Sequence, residues 1–282
     1  MILSVNLGCL LGEAVDIVVL IKPTPDITKV RFNIERGTVD RASTSLEINP
    51  FDLYAIEVAR RIKRLLGGTI TSISMAPPQA EIALRDAIAR GVDRAILLSD
   101  KRFAGADTLA TSYTLASAIK KLGTFDVILC GEKSVDGDTA HVGPEVAELL
   151  GIPHASFATR VDKVETDKIV VESDYGDAYY EVELRLPALV ALSRPVVFLG
   201  EVVEPSIPKV SDVLRARRAK VEVWNADDLK DVADPSKLGI SGSPTRVVRS
   251  YHALEKGREV KVVKGDEGIN VVLRALKELG VL

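Results

Sequence analysis

The residues best suited to chemistry in this 282-residue chain lie together between Asp126 and Pro144. An apolar run, Asp126–Cys130 (DVILC), reads as a buried parallel strand that stops at Gly131. Behind it come Glu132, Lys133, Ser134, Val135, Asp136, Gly137, Asp138, Thr139, Ala140, His141 and Val142, a polar loop from which the pattern predicts a helix beginning near Asp138 or Thr139. Strand, loop and helix in that order are where α/β sheets hold nucleotides. The loop lies at the carboxyl end of the strand, and the helix N-terminus offers free backbone N–H groups to a phosphate. Carboxylates repel phosphate unless they hold ribose hydroxyls or shape the turn, so Asp136 and Asp138 are assigned to loop geometry and ribose contact and not to acid–base catalysis. Lys133 is suited either to neutralising phosphate or to standing solvated. Cys130 ends a buried strand and reads as a small hydrophobe. His141 and His154 lack partners at ligand spacing, so no metal is expected.

Composition bounds the partners. A chain 46% hydrophobic is ample for one large domain or two unequal ones, and a net charge of −3 provides no basic field for nucleic acid. Cys9 and Cys130, the two cysteines, sit in no metal or redox spacing. No run has the length of a membrane span, and residues 1–15 carry no basic n-region, so they read as an extension ahead of the first strand. A soluble, cytoplasmic protein is expected. A single glutamine, Gln79, beside 27% charged residues matches a thermophile's bias toward ion pairs.

The elements that must position the loop alternate along the first half. Asp16–Lys22 is an apolar strand, and residues 26–48 read as a long loop or small hairpin. Asn49-Pro50-Phe51-Asp52 has the composition of a helix start: Asn as N-cap, Pro in the first turn, an acid after it. Strands over Thr69–Met75, Ala95–Ser99 and Asp126–Cys130 alternate with helices over Glu81–Arg90 and Asp107–Leu122. That rhythm implies a parallel sheet with right-handed crossovers. After Pro153, Ser156–Val164, Lys168–Asp174 and Ala178–Leu186 suggest an antiparallel strand meander, and Pro187–Leu192 a return to the parallel sheet. From Ser193 onward the chain is rich in Pro, Gly and charge, with helices near Ser211–Ala219 and Glu267–Leu279. Residues 193–282 are expected to form an arm lying on a partner chain, or else a small second domain.

At this point the chain resembles, from Asp16 onward, the beta subunits of electron-transfer flavoproteins. The features arrive in order: a first strand ending in Lys22, the Asn49–Asp52 helix start, Gly91–Leu98, the Gly131–Pro144 loop, Leu186–Leu192, and the basic run Arg215–Lys220. The resemblance implies a Rossmann-like sheet of the adenine-nucleotide-binding type. It implies a heterodimer with an alpha subunit that carries FAD, and a nucleotide in the beta subunit, either structural AMP or a second FAD. In the second case NADH reduces the beta-site flavin, and electrons leave singly toward a high-potential acceptor, such as a quinone-linked partner, and a low-potential one, such as ferredoxin. The sequence Asp136-Gly137-Asp138-Thr139-Ala140-His141-Val142-Gly143-Pro144 resembles this bifurcating group, as do Gly242–Thr245 and the long tail. Glycine at 137 agrees in direction, since a pyrophosphate needs close backbone approach. His141 stands where the family has an amide, and Ser193–Ile207 departs from the leucine-bearing docking loop of members that serve acyl-CoA dehydrogenases.

By the same resemblance, Asn49, Pro50, Phe51 and Asp52 contact the adenine nucleotide, and Leu20 and Met75 line adenine or ribose. Read alone, the first four are an ordinary capped helix and the last two plain core. The Arg215–Lys220 run fits an acidic alpha subunit, a flavin phosphate or a solvated helix face. Two other readings stand beside bifurcation: an AMP-holding scaffold for the alpha-subunit flavin, and a lone nucleotide-binding domain of the universal-stress type.

Overall fold

The computed structural model describes residues 14–25, 32–33, 38–39, 46–246, 248, 262–263 and 265–281. Its strands and helices are β1 (Ile17–Leu20), β2 (Pro23–Pro25), β3 (Phe32–Asn33), β4 (Thr38–Val39), β5 (Leu46–Ile48), α1 (Pro50–Leu66), β6 (Ile70–Met75), α2 (Glu81–Ala89), β7 (Arg94–Leu98), α3 (Thr108–Leu122), β8 (Val127–Gly131), α4 (Val142–Leu150), β9 (His154–Val164), β10 (Lys168–Asp174), β11 (Tyr179–Arg185), β12 (Ala188–Phe198), β13 (Glu201–Val203), α5 (Val210–Arg218), β14 (Glu222–Trp224) and α6 (Asp266–Glu278). The expected α/β class with a largely parallel sheet and an antiparallel meander is what forms.

One sheet dominates, in the order β11-β10-β9-β12-β8-β1-β6-β7-β14, with β13 paired to β12. The ladders joining β12, β8, β1, β6, β7 and β14 are parallel, as is β12 with β9; β9–β10–β11 is antiparallel. The central strands are continuous apolar runs, IVVL in β1 and VILC in β8, because both faces are covered. One face packs on α1 and α2, where Ala55, Val58, Ala59, Ile62, Ala83 and Ala87 are buried. The other packs on α3, α4 and the 226–238 segment through Leu115, Ile119, Val146, Leu229 and Leu238. Each fully buried branched side chain in these layers contributes about 1.5–3 kcal/mol relative to exposure. Among the described residues no helix is long and apolar enough to cross a membrane.

Three expectations need adjusting. Of the 1–15 extension only Ala14 and Val15 are described, and Val15 is core; Cys9 and most of residues 26–45 lie outside the described residues. The return strand does not stop at residue 192. β12 continues to Phe198 and turns into β13, and Pro195 falls where the β12–β9 register shifts, so its missing N–H interrupts no ladder bond. Finally, the chain past 192 is not one arm. β14 pairs with β7 as an edge of the main sheet, and the compact unit runs through Arg246, with residues 247–282 as a second unit. Three half-exposed residues, Glu222-Val223-Trp224, present no apolar run by which this edge strand can be read. Within the second unit, α6 matches the expected helix to within a residue.

Candidate functional site

β1 is followed in the chain by β6 and β7 on one side, and the chain then crosses back to place β8 on the other side of β1. The direction of winding therefore reverses between β1 and β8. In open α/β sheets a crevice forms outside the carboxyl ends of the strands at such a point. Lys22 ends the β1 side of this crevice, and the 131–141 loop ends the β8 side.

The N-terminus of α1 joins the two. Asn49 is at the N-cap position, but its side chain makes no cap bond, contrary to the expected role. Its amide reaches across to the loop: Nδ2 donates to the Lys133 carbonyl at 2.9 Å, and Oδ1 accepts from the Val135 N–H at 3.3 Å. Its backbone N–H donates to the Lys22 carbonyl at 3.0 Å. Asp52, one turn on, accepts from the Lys22 N–H at 2.7 Å and the Gly131 N–H at 3.0 Å. Asn49 is 1% and Asp52 4% exposed. Burial pushes the Asp52 carboxyl up to about 7, against the pull of the Lys22 N–H, Asn49, the Gly131 N–H and the Lys22 charge. Gly131 admits this carboxyl only because it lacks a Cβ, which would lie 2.5 Å from Phe51 Cβ and 2.6 Å from Asp52 Oδ1.

The loop itself is charged and folded tightly. Lys22 Nζ donates to Ser134 Oγ at 3.0 Å and pairs with Asp136 Oδ1 at 2.6 Å. Lys133 Nζ pairs with Asp138 at 2.9 Å, and the Asp138 N–H donates to the Ser134 carbonyl at 2.9 Å. Burial works against it, yet the Lys22 ammonium and the Ser134 hydroxyl hold the Asp136 carboxyl below its usual range. A Cβ at Gly137 would meet Ser134 Oγ at 3.2 Å and Lys22 Nζ at 3.5 Å, so the glycine keeps the floor of this cradle low. Asp138 and Ala140 adopt φ of 52° and 56°, a left-handed conformation that non-glycine residues take at a cost of about 1–3 kcal/mol. Those two residues also move the helix start: α4 begins at Val142, with His141 at its N-cap, not at Asp138 or Thr139. Thr139 is thus an exposed loop residue, not the first residue of the helix. The first-turn N–H groups of α4 have no intrahelical partner, and its dipole favours an anion there.

Leu20 and Met75 end β1 and β6 in one apolar cluster with Leu98 and Cys130. Burial and the nearby Asp52 raise the Cys130 thiol well above its usual range, which keeps it a neutral, inert group. Three residues that sequence reasoning did not assign to the site also meet here. Lys22 supplies its best-placed cation, and its position directly after the first apolar run is the signal that could have found it. Ser193 donates to the Glu132 carboxylate, and Arg194 lies 4.7 Å from the Phe51 ring centre, with Lys133 at 5.9 Å. Both follow Leu192, whose carbonyl takes the Glu132 N–H at 2.9 Å. An open groove of about 570 Å³ runs from Glu132, Ser193 and Arg194 to Phe157, Arg160 and Tyr179. A smaller cavity of about 270 Å³ lies at the amino ends of the strands, where Asp16 and Asp93 are already bonded to Thr69 and Lys63. Among the described residues no cluster of His, Cys, Asp and Glu is arranged to hold a metal.

Comparison with known proteins places this architecture. The electron transfer flavoprotein domain matches residues 36–229, more than half of the chain. The chain belongs to the electron transfer flavoprotein family. It is 42% identical over 234 residues to the electron transfer flavoprotein subunit beta of Thermoanaerobacterium thermosaccharolyticum, covering 83% of this chain and 86% of that one. It is 40% identical over 264 residues to the subunit beta of Clostridium acetobutylicum, covering 93% and 98%. It is also 36% identical over 242 residues to the caffeyl-CoA reductase-Etf complex subunit CarD of Acetobacterium woodii, covering 86% and 89%. It is a beta-subunit member of the electron transfer flavoprotein family, whose place is in electron transfer beside an alpha subunit.

The donors at the crevice fit the phosphates of a family nucleotide. Lys22 and Lys133 hold the loop carboxylates of Asp136 and Asp138 where a phosphate's oxygens would also serve, and the Gly137 cradle leaves room for close approach.

Proposed function

We propose that this subunit holds FAD at the Gly131–Val142 loop, where it takes hydride from NADH, and that the heterodimer sends the electrons singly to a high-potential and a low-potential acceptor. The observation that carries the reading is the Lys22–Ser134–Asp136 cradle at the point where the sheet's winding reverses, with a groove beside it. Lys22, Lys133 and the N–H groups at the start of α4 bind the pyrophosphate. Asp136 and Asp138, displaced from the lysines, are free for ribose hydroxyls. Asn49 and Phe51 fix the loop's height, and Leu20 and Met75 form the apolar floor nearby. A mononucleotide such as AMP is satisfied by the cradle alone. The groove from Glu132 and Arg194 toward Tyr179 supplies the further room that a dinucleotide needs. The flavin, when bound, supplies the exchange between two-electron and one-electron chemistry. The chain's own contribution is to bind, orient and shield.

The partners in this reading are an FAD-carrying alpha subunit, a ferredoxin and a quinone-linked oxidoreductase. The setting is cytoplasmic, with any membrane association made through those partners. CarD's name, which joins an Etf to a reductase complex, is consistent with such an assembly. The test is extraction of nucleotide from the native heterodimer, with NADH titration. Two FAD per heterodimer, bleached by NADH, is the expected result. AMP with a single FAD overturns the reading in favour of a scaffold for the alpha-subunit flavin.

A further inference from the structure

We propose that Asp52 is the positioning residue of the nucleotide loop, a buried carboxyl latch whose proton occupancy sets the affinity of the crevice for an anionic ligand. This rests on the nucleotide reading of the loop and adds its regulation.

Three geometric facts carry it. The carboxyl joins both strand ends, through the Lys22 N–H at 2.7 Å and the Gly131 N–H at 3.0 Å. Those two residues frame the crevice, since Lys22 sends its ammonium to Ser134 and Asp136, and Gly131 begins the loop. The third is the sealed setting: a Cβ on Gly131 would collide with Asp52 Oδ1 at 2.6 Å, and the side chain is 4% exposed. Asp52 sits three residues after Asn49, where an acid in a capping box bonds back to its own N-cap. Here it is turned outward to the strands.

The chemistry follows from charge. The groups that face the carboxyl are Lys22 from the segment after β1, Asn49 from the N-cap position of its own helix, and the Gly131 N–H and Cys130 thiol from β8. Burial brings its proton exchange to about pH 7. When ionised, it adds a negative charge beneath the site that must take phosphate. When protonated, it removes that charge, and the oxygen that stays a carbonyl still accepts its N–H bond. An anion in the crevice therefore favours the protonated latch, and the protonated latch favours the anion.

The test is a titration of the purified full-length chain with FAD, whose pyrophosphate keeps constant charge between about pH 6 and pH 8, followed by flavin fluorescence. Wild type is expected to lose about three- to tenfold in affinity over that span, the size of a pKa displaced by up to about one unit. Asp52→Asn, which cannot titrate but keeps one acceptor oxygen for the two N–H donors, should bind more weakly than wild type at pH 6, with a flat profile. Asp52→Ala should bind weakly at every pH. An Asp52→Asn chain that keeps the wild-type slope overturns the latch and leaves the nucleotide reading intact. Wild type that takes up no FAD at any pH overturns the nucleotide reading and the latch with it. If Asp52→Asn does not fold, infrared difference spectra of wild type decide: a protonated-carboxyl band that titrates near neutrality and moves to higher pH with FAD supports the latch, and a band insensitive to FAD sinks it.

Discussion

Lys22 Nζ lies 2.6 Å from Asp136 Oδ1, an ion pair that ties the end of the first strand to a loop 114 residues later. Both side chains are more than a third exposed, so solvent screening leaves the pair worth less than about 1 kcal/mol to folding. Its meaning is as a lysine already aimed at the acceptor position of the crevice.

That separation of roles can be measured. Lys22→Met is expected to leave the urea midpoint nearly unchanged but to weaken FAD binding about tenfold or more, the loss of one charge-assisted hydrogen bond. Lys22→Arg should recover part of the affinity. Calorimetric titration beside denaturation of the same samples checks both. A large loss of stability with intact binding would reverse the assignment.

Asn49→Ala removes two bonds to the loop and no cap bond to α1. The expected cost is about 1–3 kcal/mol, because the Lys133 carbonyl and Val135 N–H lose their partner in a part-buried place. Hydrogen exchange should quicken at Val135 while the first turn of α1 stays protected. Faster exchange confined to α1 would mean that the residue is an ordinary cap after all.

Gly131→Ala places a methyl 2.5 Å from Phe51 Cβ. Overpacking of this kind costs about 1–3 kcal/mol, and here it also parts the Asp52 carboxyl from its N–H donor. A melting temperature lowered by several degrees is expected, about 2–4 °C for each kcal/mol in a domain of this size.

The pH dependence of stability carries a sign. The Asp52 carboxyl exchanges at about 7 in the fold and near 3.8 in the open chain, so the folded state holds the extra proton between those values. Its contribution is full below about pH 4 and is lost as pH rises through 7, at up to about 1.4 kcal/mol per unit. Asp107 and Asp136 act in the opposite sense: their carboxyls are lowered, and their contributions vanish as pH falls below the usual carboxylate range. Replacing Asp52 by Asn should therefore help most, relative to wild type, at the alkaline end of a pH series of urea melts. A difference that stays constant across the series would show that Asp52 is ionised throughout.

Local rules reached far into this fold because the parallel strands are buried on both faces and read as bare apolar runs. They placed α1 correctly from Asn49-Pro50, since proline's fixed φ suits a first turn whatever the asparagine does. They could not say where the amide of Asn49 points, because its partners lie more than 80 residues away. The start of α4 was misplaced for a local reason of another kind. Asp138, whose N–H donates to the Ser134 carbonyl, and Ala140 are both left-handed; an aspartate tolerates that conformation without requiring it, and nothing in an alanine announces it. Arg194 was passed over because Ser193-Arg194-Pro195 looks like the end of a strand, whereas β12 runs through it and delivers the guanidinium to Phe51.

The position of β12 between β8 and β9 has a consequence for how the polypeptide is made. β9, β10 and β11 leave the ribosome before the strand that attaches them to the rest. Until residues 188–198 emerge, one side of β8 has no neighbour, and the nascent meander is tethered only by its connection through α4. At roughly 5–20 residues per second that interval lasts on the order of seconds, long against hairpin formation. β12 is therefore the keystone of the sheet, and translation pausing within this stretch would prolong the period in which β8 lacks its neighbour and an apolar strand edge is open to aggregation.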